Sequence, residues 1–308
     1  MIKLSIIIPV YFNEGNIPYL YEKLKETIFD NKNIDYEIIF VDDGSKDNSY
    51  NELIKLRAKN DKIKLIKLSR NFGSHTAILA GLSNCTGDCA TVISADLQDP
   101  PTIILEMLEK YKEGNKVVLA VRTDREESIV QKFFSNSYYK LMKKYAIPNM
   151  PEGGFDCFLI DRKVIEVLIS MKEKNSTLMG QILWCGFKTD SIYYVRRERE
   201  IGKSRWTLAK KIKLFIDSFM AFSYTPIKLM SGLGFLISSL GFLYGIYIFL
   251  NKIFNDIPIE GWSSLMIVLL LLSGIQMIIL GVIGEYLWRS FDESRKRPTF
   301  IIEEKEGL

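Results

Sequence analysis

Residues 36–45 read Tyr-Glu-Ile-Ile-Phe-Val-Asp-Asp-Gly-Ser, and this stretch decides the fold class. An apolar run ends directly in two carboxylates, which indicates a buried strand whose end delivers Asp42 and Asp43 into a turn. A second apolar run, within residues 90–98, leads in the same way to Asp96 and Gln98. In open α/β sheets, ligands bind at the carboxyl ends of strands. Two acidic strand ends therefore indicate a metal ion and a phosphate-bearing ligand.

Strand and helix patterns alternate around these two sites. The pattern predicts strands at 4–10, 37–41, 64–68, 90–94, 117–121, 158–160 and 189–195, and helices at 17–29, 49–59, 74–82 and 102–112. Alternation of apolar strands with helices is typical of a mainly parallel, Rossmann-like sheet that helices cover on both faces. The expected fold class is therefore α/β.

Composition excludes several classes of protein. The chain has 308 residues and a formal net charge of +4, and its basic residues cluster locally at 196–213, so nucleic-acid binding is not expected. Its four cysteines lack metal-ligand spacing and are interpreted as reduced thiols. The single histidine, His75, argues against a histidine-based metal cluster or a Ser-His-Asp triad.

Two segments near the end of the chain have the length of membrane spans. Residues 230–250 and 262–284 carry no charge, and each is long enough to cross a hydrocarbon core of roughly 30 Å. Basic residues precede the first span and follow the second, which predicts that both termini are cytoplasmic. Residues 207–224 have apolar residues at helical spacing and are interpreted as an interfacial helix on membrane lipids, with a core-facing helix as the alternative.

Four motifs follow one another in a specific order. They are Pro-Val-Tyr-Phe-Asn-Glu (9–14), Val-Asp-Asp-Gly-Ser (41–45), Leu-Ser-Arg-Asn-Phe-Gly (68–73) and Ala-Asp-Leu-Gln-Asp-Pro-Pro (95–101). This order resembles the family-2 inverting glycosyltransferases with the GT-A fold. Among them, the chain is most similar to the polyprenyl-phosphate glycosyltransferases, which include dolichol-phosphate mannose synthase and the bacterial undecaprenyl-phosphate glucosyltransferases. The resemblance runs from about residue 4 to 302 and includes both spans.

The resemblance implies a nucleotide-sugar site at the strand ends. Its members would be Pro9, Tyr11, Glu14, Asp42, Asp43, Arg70, Ser94 and Asp96. Asp96 and Gln98 would hold Mg²⁺ or Mn²⁺ on the pyrophosphate, since hard cations prefer oxygen ligands. Many relatives carry aspartate where this chain has Ser94, so metal affinity or nucleotide contacts differ there unless Ser94 is a neutral strand-end residue.

The resemblance also implies an acceptor site. The aspartate matching Asp156 is usually called the catalytic base. The alternative is that Asp156 orients the acceptor or a cation. This alternative arises because a phosphate monoester has a second pKa of about 6 and is already ionised, so it needs no base. The run 196–206 resembles the family's Arg-x-x-Arg-x-x-Gly-x-Ser-Lys-Tyr segment. It would place Arg196, Arg199, Ser204 and Arg205 at the phosphates, with a lipid-binding basic patch as the alternative.

These expectations combine into one assignment. The expected parts are a cytoplasmic GT-A domain (1–206), a juxtamembrane helix (207–226), a first span (227–250), an extracytoplasmic loop (251–261), a second span (262–287) and a cytoplasmic tail (288–308). The enzyme would transfer a hexose, in the first instance glucose from UDP-glucose, to undecaprenyl phosphate at the inner membrane for modification of cell-envelope glycans. A GDP-sugar as the donor is left open. Assembly as a dimer or a tetramer is also left open. The alternatives are a processive polysaccharide synthase and a catalytically silent scaffold.

Overall fold

The computed structural model describes residues 2–31, 34–123, 139–171, 173–196, 208–255 and 261–308. The strands in these ranges are β1 Lys3–Val10, β2 Asp35–Asp42, β3 Ile63–Leu68, β4 Cys89–Val92, β5 Val117–Arg122, β6 Phe155–Asp161, β7 Thr189–Tyr194 and β8 Ile302–Glu306. They form one sheet in the order β7-β5-β6-β4-β1-β2-β3-β8.

Helices connect most of these strands. They are α1 Ile17–Leu24 with a π-helical continuation at Lys25–Phe29, α2 Ser49–Arg57, α3 Ser74–Leu82, α4 Thr102–Lys112, α5 Arg162–Met171, α6 Leu178–Trp184, α7 Leu208–Phe222, α8 Thr225–Asn255 and α9 Trp262–Ser294. Residues 139–145 are also helical.

Strand direction brings many chain segments to one edge of the sheet. β4, β1, β2 and β3 are parallel neighbours, and β7 is parallel to β5. β6 lies between β4 and β5 and is antiparallel to both, so it begins at the edge where the parallel strands end. The register places Val10 opposite Asp42, and the loops after β1 and β2 therefore start side by side.

Helices cover both faces of the sheet. Ile6, Ile8 and Phe40 point into a core cluster that includes side chains of α1, α2 and α4. On the other face α3 packs against β1 and β2, and Gly81 lies so close to the Ile7 side chain that a β-carbon would clash. Strands buried on both faces read as continuous apolar runs, which is why the sequence revealed them. The α/β fold with a mainly parallel sheet is confirmed.

A buried charge stabilises the end of the sheet where the parallel strands begin. Glu37 accepts hydrogen bonds from Ser5 Oγ at 2.6 Å and Thr86 Oγ1 at 2.8 Å, and it pairs with Lys64 Nζ at 2.8 Å. Burial alone would raise the pKa of Glu37, but these partners outweigh it and lower the pKa to about 2. The carboxylate therefore holds the starts of three strands together in its ionised form.

The last strand was not expected from the sequence, which predicts only a tail at 288–308. β8 instead pairs antiparallel with β3 at the edge of the sheet. Lys67 Nζ lies 3.3 Å from carboxylate oxygens of both Glu303 and Glu304, and Ser69 N donates to Ile301 O at 3.0 Å. The segment gave no strand signal because it has no apolar alternation, and its pairing depends on the edge that β3 offers.

The chain divides into two compact units, residues 1–221 with 298–308, and residues 222–297. The second unit contains α8 and α9, which extend beyond the predicted spans 227–250 and 262–287. Thr225–Asn251 and Ser264–Ser294 are long and apolar enough to cross a membrane, and their most apolar windows are not buried by other parts of the protein. How the chain is divided between membrane and cytoplasm stays a prediction.

Candidate active site

The loop after β2 is fastened to the loop after β3 through Asp43. This buried carboxylate accepts hydrogen bonds from Phe72 N at 2.7 Å, Gly73 N at 2.9 Å and Asn71 Nδ2 at 2.9 Å. Burial raises the pKa of Asp43 to about 6, although the two backbone N–H groups oppose that shift. Asp43 therefore shapes the two loops, and its predicted contact with a donor stays a prediction.

Asp42 presents an oxygen that the fold does not use. The side chain is completely buried, and its Oδ2 accepts from Ser45 N at 3.2 Å. Its Oδ1 has no hydrogen-bond partner among the described residues. Burial raises the pKa of Asp42. A buried acceptor without a donor is unfavourable, so this atom fits a ligand hydroxyl such as that of a ribose.

The loop after β1 is joined to the start of α2. Phe12 has a left-handed backbone with φ of 57°, and its N–H donates to Ser45 Oγ at 3.1 Å. Glu14 Oε2 accepts from Asn48 N at 2.9 Å, next to the first turn of α2. The half-buried Tyr11 ring meets the Phe12 ring edge-on, with 4.6 Å between centroids. These contacts hold Tyr11 and Glu14 next to the strand ends, and Pro9 lies within β1 opposite Val41.

The loop after β4 brings a hydroxyl group between two carboxylates. Ser94 Oγ lies 2.7 Å from Asp96 Oδ1 and 2.6 Å from Asp99 Oδ2. Gln98 N donates to Asp96 Oδ1 at 3.3 Å. Leu97 between them has φ of 62°, a backbone conformation that is uncommon for a leucine and tends to occur at functional sites.

Asp156 stands at the start of β6, at the same edge. Its carboxylate is bonded to Arg122 Nη2, and Arg196 Nη1 lies 3.6 Å away. The Asp156 side chain is 48% exposed, whereas that of Arg122 is 8% exposed. Burial lowers the pKa of the half-buried His75, and the Asp156 carboxylate opposes that shift. The structure places two of the predicted acceptor-site residues, Asp156 and Arg196, next to each other. Their roles stay predictions.

Three residues of this region were missed by the sequence reasoning. Arg122 ends β5, and it was missed because only acidic residues were sought at the strand ends. Asp99 is completely buried and accepts from Tyr194 Oη at 2.6 Å, and Tyr194 ends β7. Tyr194 gave no signal because nothing in the sequence shows that the end of β7 lies beside the loop after β4.

The remaining predicted residues differ in what the structure says of them. Arg70 is exposed, and its guanidinium lies 4.2 Å from the centroid of the Phe72 ring. Arg199, Ser204 and Arg205 lie in residues 197–207, outside the described residues, so their roles stay predictions.

Comparison with known families identifies the chain. A family model described as Glycosyl transferase family 2 matches residues 5–169, which contain the strand ends described above. The chain belongs to this family. It is a glycosyltransferase with the GT-A fold, and the resemblance inferred from the four motifs is confirmed. A second model, the GtrB C-terminal hairpin, matches residues 225–289, which cover α8 and most of α9.

Individual relatives extend the family match along the whole chain. The uncharacterized glycosyltransferase YkcC of Bacillus subtilis (strain 168) is 44% identical over 308 residues, covering 100% of this chain and 95% of its own. The bactoprenol glucosyl transferase of Shigella phage SfV is 33% identical over 305 residues, covering 99% of each chain. Among solved structures, the mannosyltransferase PcManGT from Pyrobaculum calidifontis, in complex with GDP-Man and Mn²⁺, is 18% identical with a TM-score of 0.48. That match covers 68% of this chain and 60% of the other.

The C-terminal unit makes this glycosyltransferase a membrane-associated protein. Its two helices are long and apolar enough to cross a membrane, and they coincide with the matched hairpin. Large apolar side chains such as Phe235, Phe242 and Leu271 are more than 60% exposed within this unit. Exposed apolar side chains of this size favour contact with lipid over contact with water.

The residues at the loop after β4 fit a divalent cation in their chemistry. Asp96, Ser94 and Gln98 offer carboxylate, hydroxyl and amide oxygens, which are the ligands that Mg²⁺ and Mn²⁺ prefer. The described residues contain no group of three or more His, Cys, Asp or Glu side chains suited to a metal ion. A cation at this family-2 site would therefore need oxygens from a bound phosphate to complete its coordination.

Proposed function

We propose that this glycosyltransferase moves a hexose from a nucleoside-diphosphate sugar to polyprenyl phosphate, with inversion at the anomeric carbon. The observation that carries the proposal is Arg196, which stands beside Asp156 with a buried Nε that has no hydrogen-bond partner among the described residues. Among the described residues, Arg196 Nε lies 3.6 Å from Asp99 Oδ1, and Arg196 Nη1 lies 3.6 Å from Asp156 Oδ2. A guanidinium whose Nε has no hydrogen-bond partner among the described residues can pair with a phosphate group.

Two further findings support a lipid phosphate as the acceptor. The Shigella phage SfV relative, which matches along 99% of both chains, is named a bactoprenol glucosyl transferase. The matched hairpin would keep this chain in the membrane that contains such a lipid. Attachment to the membrane raises the effective concentration of a membrane-bound acceptor at the site.

The donor would lie across the ends of β1, β2 and β4. Asp42 Oδ1 accepts a hydrogen bond from a ribose hydroxyl, and Tyr11 stacks on the base. Asp96 and Gln98 would hold Mg²⁺ or Mn²⁺, which, when bound, neutralises the charge of the leaving nucleoside diphosphate. A phosphate oxygen of the acceptor forms its bond to the anomeric carbon as the bond from that carbon to the nucleoside diphosphate breaks on the opposite face.

Asp156 orients the acceptor rather than removing a proton from it. The second pKa of a phosphate monoester is about 6, so the acceptor is already nucleophilic at neutral pH. The carboxylate also bonds to Arg122, which fixes its direction. Asp156 and Arg122 together would hold Arg196 at the distance where its donors meet the acceptor phosphate.

We further propose that the reaction takes place on the cytoplasmic face, with both termini cytoplasmic, because basic residues flank the two spans on one side. The helix α7 would lie at the lipid surface. Glucose from UDP-glucose is the first choice of donor, whereas other UDP-hexoses and GDP-mannose stay open. Assembly as a homo-oligomer stays a prediction.

A donor screen tests this function. Full-length protein in detergent is incubated with undecaprenyl phosphate and, separately, with UDP-glucose, UDP-galactose, UDP-N-acetylglucosamine and GDP-mannose. We expect release of nucleotide and a lipid product heavier by one hexosyl residue, that is one hexose less one water, for one donor, with UDP-glucose favoured. The Arg196→Ala variant serves as the control that should lose acceptor use while it retains UDP binding. Absence of any lipid product with all four donors would contradict the proposal.

A further inference from the structure

Arg196 lies between two carboxylates, and its distance from each is too long for a hydrogen bond. Its Nε is 3.6 Å from Asp99 Oδ1, and its Nη1 is 3.6 Å from Asp156 Oδ2. Hydrogen bonds from a nitrogen to an oxygen are at most about 3.2 Å long in most proteins. Arg196 is therefore attracted by both carboxylates without being bonded through these atoms.

Each of the two carboxylate oxygens that face Arg196 already has another donor. Asp99 Oδ1 accepts a hydrogen bond from Tyr194 Oη at 2.6 Å. Asp156 Oδ2 accepts one from Arg122 Nη2. Arg122 and Tyr194 are partners in the register of β5 and β7, so their side chains leave the sheet on the same side. Two neighbouring strand ends thus supply the donors that occupy both oxygens.

Tyr194 is well fixed in this role. Its side chain is buried, and burial raises the pKa of the hydroxyl, which therefore keeps its proton and acts as a donor. Its backbone oxygen accepts from Thr123 N at 3.1 Å and from Thr123 Oγ1 at 3.2 Å. The Asp99 side chain is completely buried, and its other oxygen lies 2.6 Å from Ser94 Oγ. Neither partner of the Tyr194–Asp99 hydrogen bond is open to water.

We propose that Tyr194 is a positioning residue whose hydroxyl occupies Asp99 Oδ1 and so keeps Arg196 available for the acceptor phosphate. Without this hydroxyl, Asp99 Oδ1 would be a buried acceptor that has lost its donor, which is unfavourable. Arg196 Nε has no hydrogen-bond partner among the described residues. A shift of less than about 1 Å would let it form a charge-assisted hydrogen bond with Asp99.

The carboxylate would then capture the arginine that the phosphate needs. This inference rests on the proposed role of Arg196 in acceptor binding. It gives Tyr194 a part in the reaction although its hydroxyl is bonded to Asp99 and is buried in the protein.

Binding of the lipid phosphate tests the inference without turnover. Full-length protein in detergent with UDP is titrated calorimetrically with undecaprenyl phosphate. Tyr194→Phe keeps the ring and removes only the hydroxyl. We expect the lipid to bind about 10- to 100-fold more weakly, because a hydrogen bond between two charged groups must first be broken. The affinity for UDP should be unchanged. In transfer assays the KM for undecaprenyl phosphate should rise by the same factor, whereas kcat at saturating acceptor should not change.

Asp99→Asn separates capture of Arg196 from poorer packing around the ring. An asparagine at position 99 lacks the negative charge that would capture the guanidinium. In the Asp99→Asn background, the loss of lipid affinity caused by Tyr194→Phe should therefore shrink to less than about 3-fold. A loss that came only from packing around Tyr194 would be the same in both backgrounds.

Tyr111→Phe provides a matched control. Tyr111 Oη also bonds to a carboxylate oxygen, Asp161 Oδ2 at 2.9 Å, which Lys116 Nζ meets at 2.8 Å. Asp161 ends β6 opposite Cys89, where the parallel strands begin, so the same chemical change is made at the other end of the sheet. We expect this variant to bind undecaprenyl phosphate like the wild type. A thermal unfolding scan of each variant shows whether it is folded.

The outcomes distinguish this inference from the transfer reaction itself. Wild-type lipid affinity in folded Tyr194→Phe protein, or an equal loss in both Asp99 backgrounds, would overturn the inference and leave the transfer reaction standing. The expected affinities without a lipid product from any donor would refute the transfer reaction and support the inference. A wild-type protein that does not bind undecaprenyl phosphate would overturn the inference, and the donor screen then decides separately about transfer.

Discussion

Replacing Gly44 by alanine tests whether contact between the loops after β2 and β3 shapes the donor site. Gly44 has φ of +70°, and a β-carbon there would lie 2.5 Å from the carbonyl carbon of Arg70 and 2.8 Å from Asn71 N. A left-handed backbone costs an L-residue about 1–2 kcal/mol. Forcing an added carbon into a packed contact costs a further 1–3 kcal/mol or so. We expect Gly44→Ala to lose roughly 2–5 kcal/mol of unfolding free energy.

The same change should weaken binding of the nucleotide. Backbone atoms of Arg70 and Asn71 must move away from the new β-carbon, which disturbs the three hydrogen bonds that end on Asp43. Binding of UDP requires the undisturbed arrangement of the two loops. If returning to that arrangement costs about 1.4 kcal/mol in the variant, the affinity for UDP falls about 10-fold. Isothermal titration of full-length protein with UDP, together with a thermal scan, measures both effects.

Gly114→Ala separates the contact from the backbone strain. Gly114 also has a positive φ, of +91°, but no atom lies within 4 Å of its added β-carbon. This variant should lose only the about 1–2 kcal/mol of the left-handed conformation and bind UDP normally. Equal losses of stability in the two variants, or an unchanged UDP affinity in Gly44→Ala, would refute the reasoning.

Three further changes test other parts of the molecule. Asp156→Asn should slow transfer by a similar factor across pH 6 to 9 while UDP binding is kept, and a loss that shrinks as pH rises would instead indicate a base. Glu37→Gln should destabilise the protein above pH 4.5, because the folded pKa of Glu37 is lowered from 4.5 to about 2. The wild-type advantage in melting temperature should then vanish as pH falls from 4.5 toward 2, and a constant difference would contradict the assignment. Deletion of residues 298–308 should lower both stability and UDP affinity because Ser69 loses its partner Ile301, whereas deletion of Leu308 alone should change neither.

Much of the donor side could be read from the sequence because its signals are local. An apolar run that ends in Asp42 and Asp43 describes a strand buried on both faces and the loop that follows it. The same pattern led to Asp96. Parallel strands end at one edge by the rules of the fold, so their end residues meet there without further information. The two spans were equally visible, since length and lack of charge are properties of a single segment.

The sequence showed less clearly what each residue at the end of a strand does. Asp42 and Asp43 are neighbours with the same side chain. Yet Asp42 keeps a buried oxygen without a hydrogen-bond partner among the described residues, whereas Asp43 accepts three hydrogen bonds from the loop at 71–73. The difference depends on where the next loop passes, and no pattern in residues 36–45 contains that information.

The tertiary structure alone decided which distant residues meet. Arg122 reaches Asp156 across 34 positions, Tyr194 reaches Asp99 across 95, and Lys67 meets Glu304 across 237. Periodicity shows that a segment is a strand or a helix, but the order, direction and register of strands follow from packing of the whole sheet. For that reason the sequence by itself determined the fold class and the acidic strand ends. Only the folded chain brings Arg122 and Arg196 to Asp156, places Asp99 beside Ser94, and pairs β8 with β3 at the edge of the sheet.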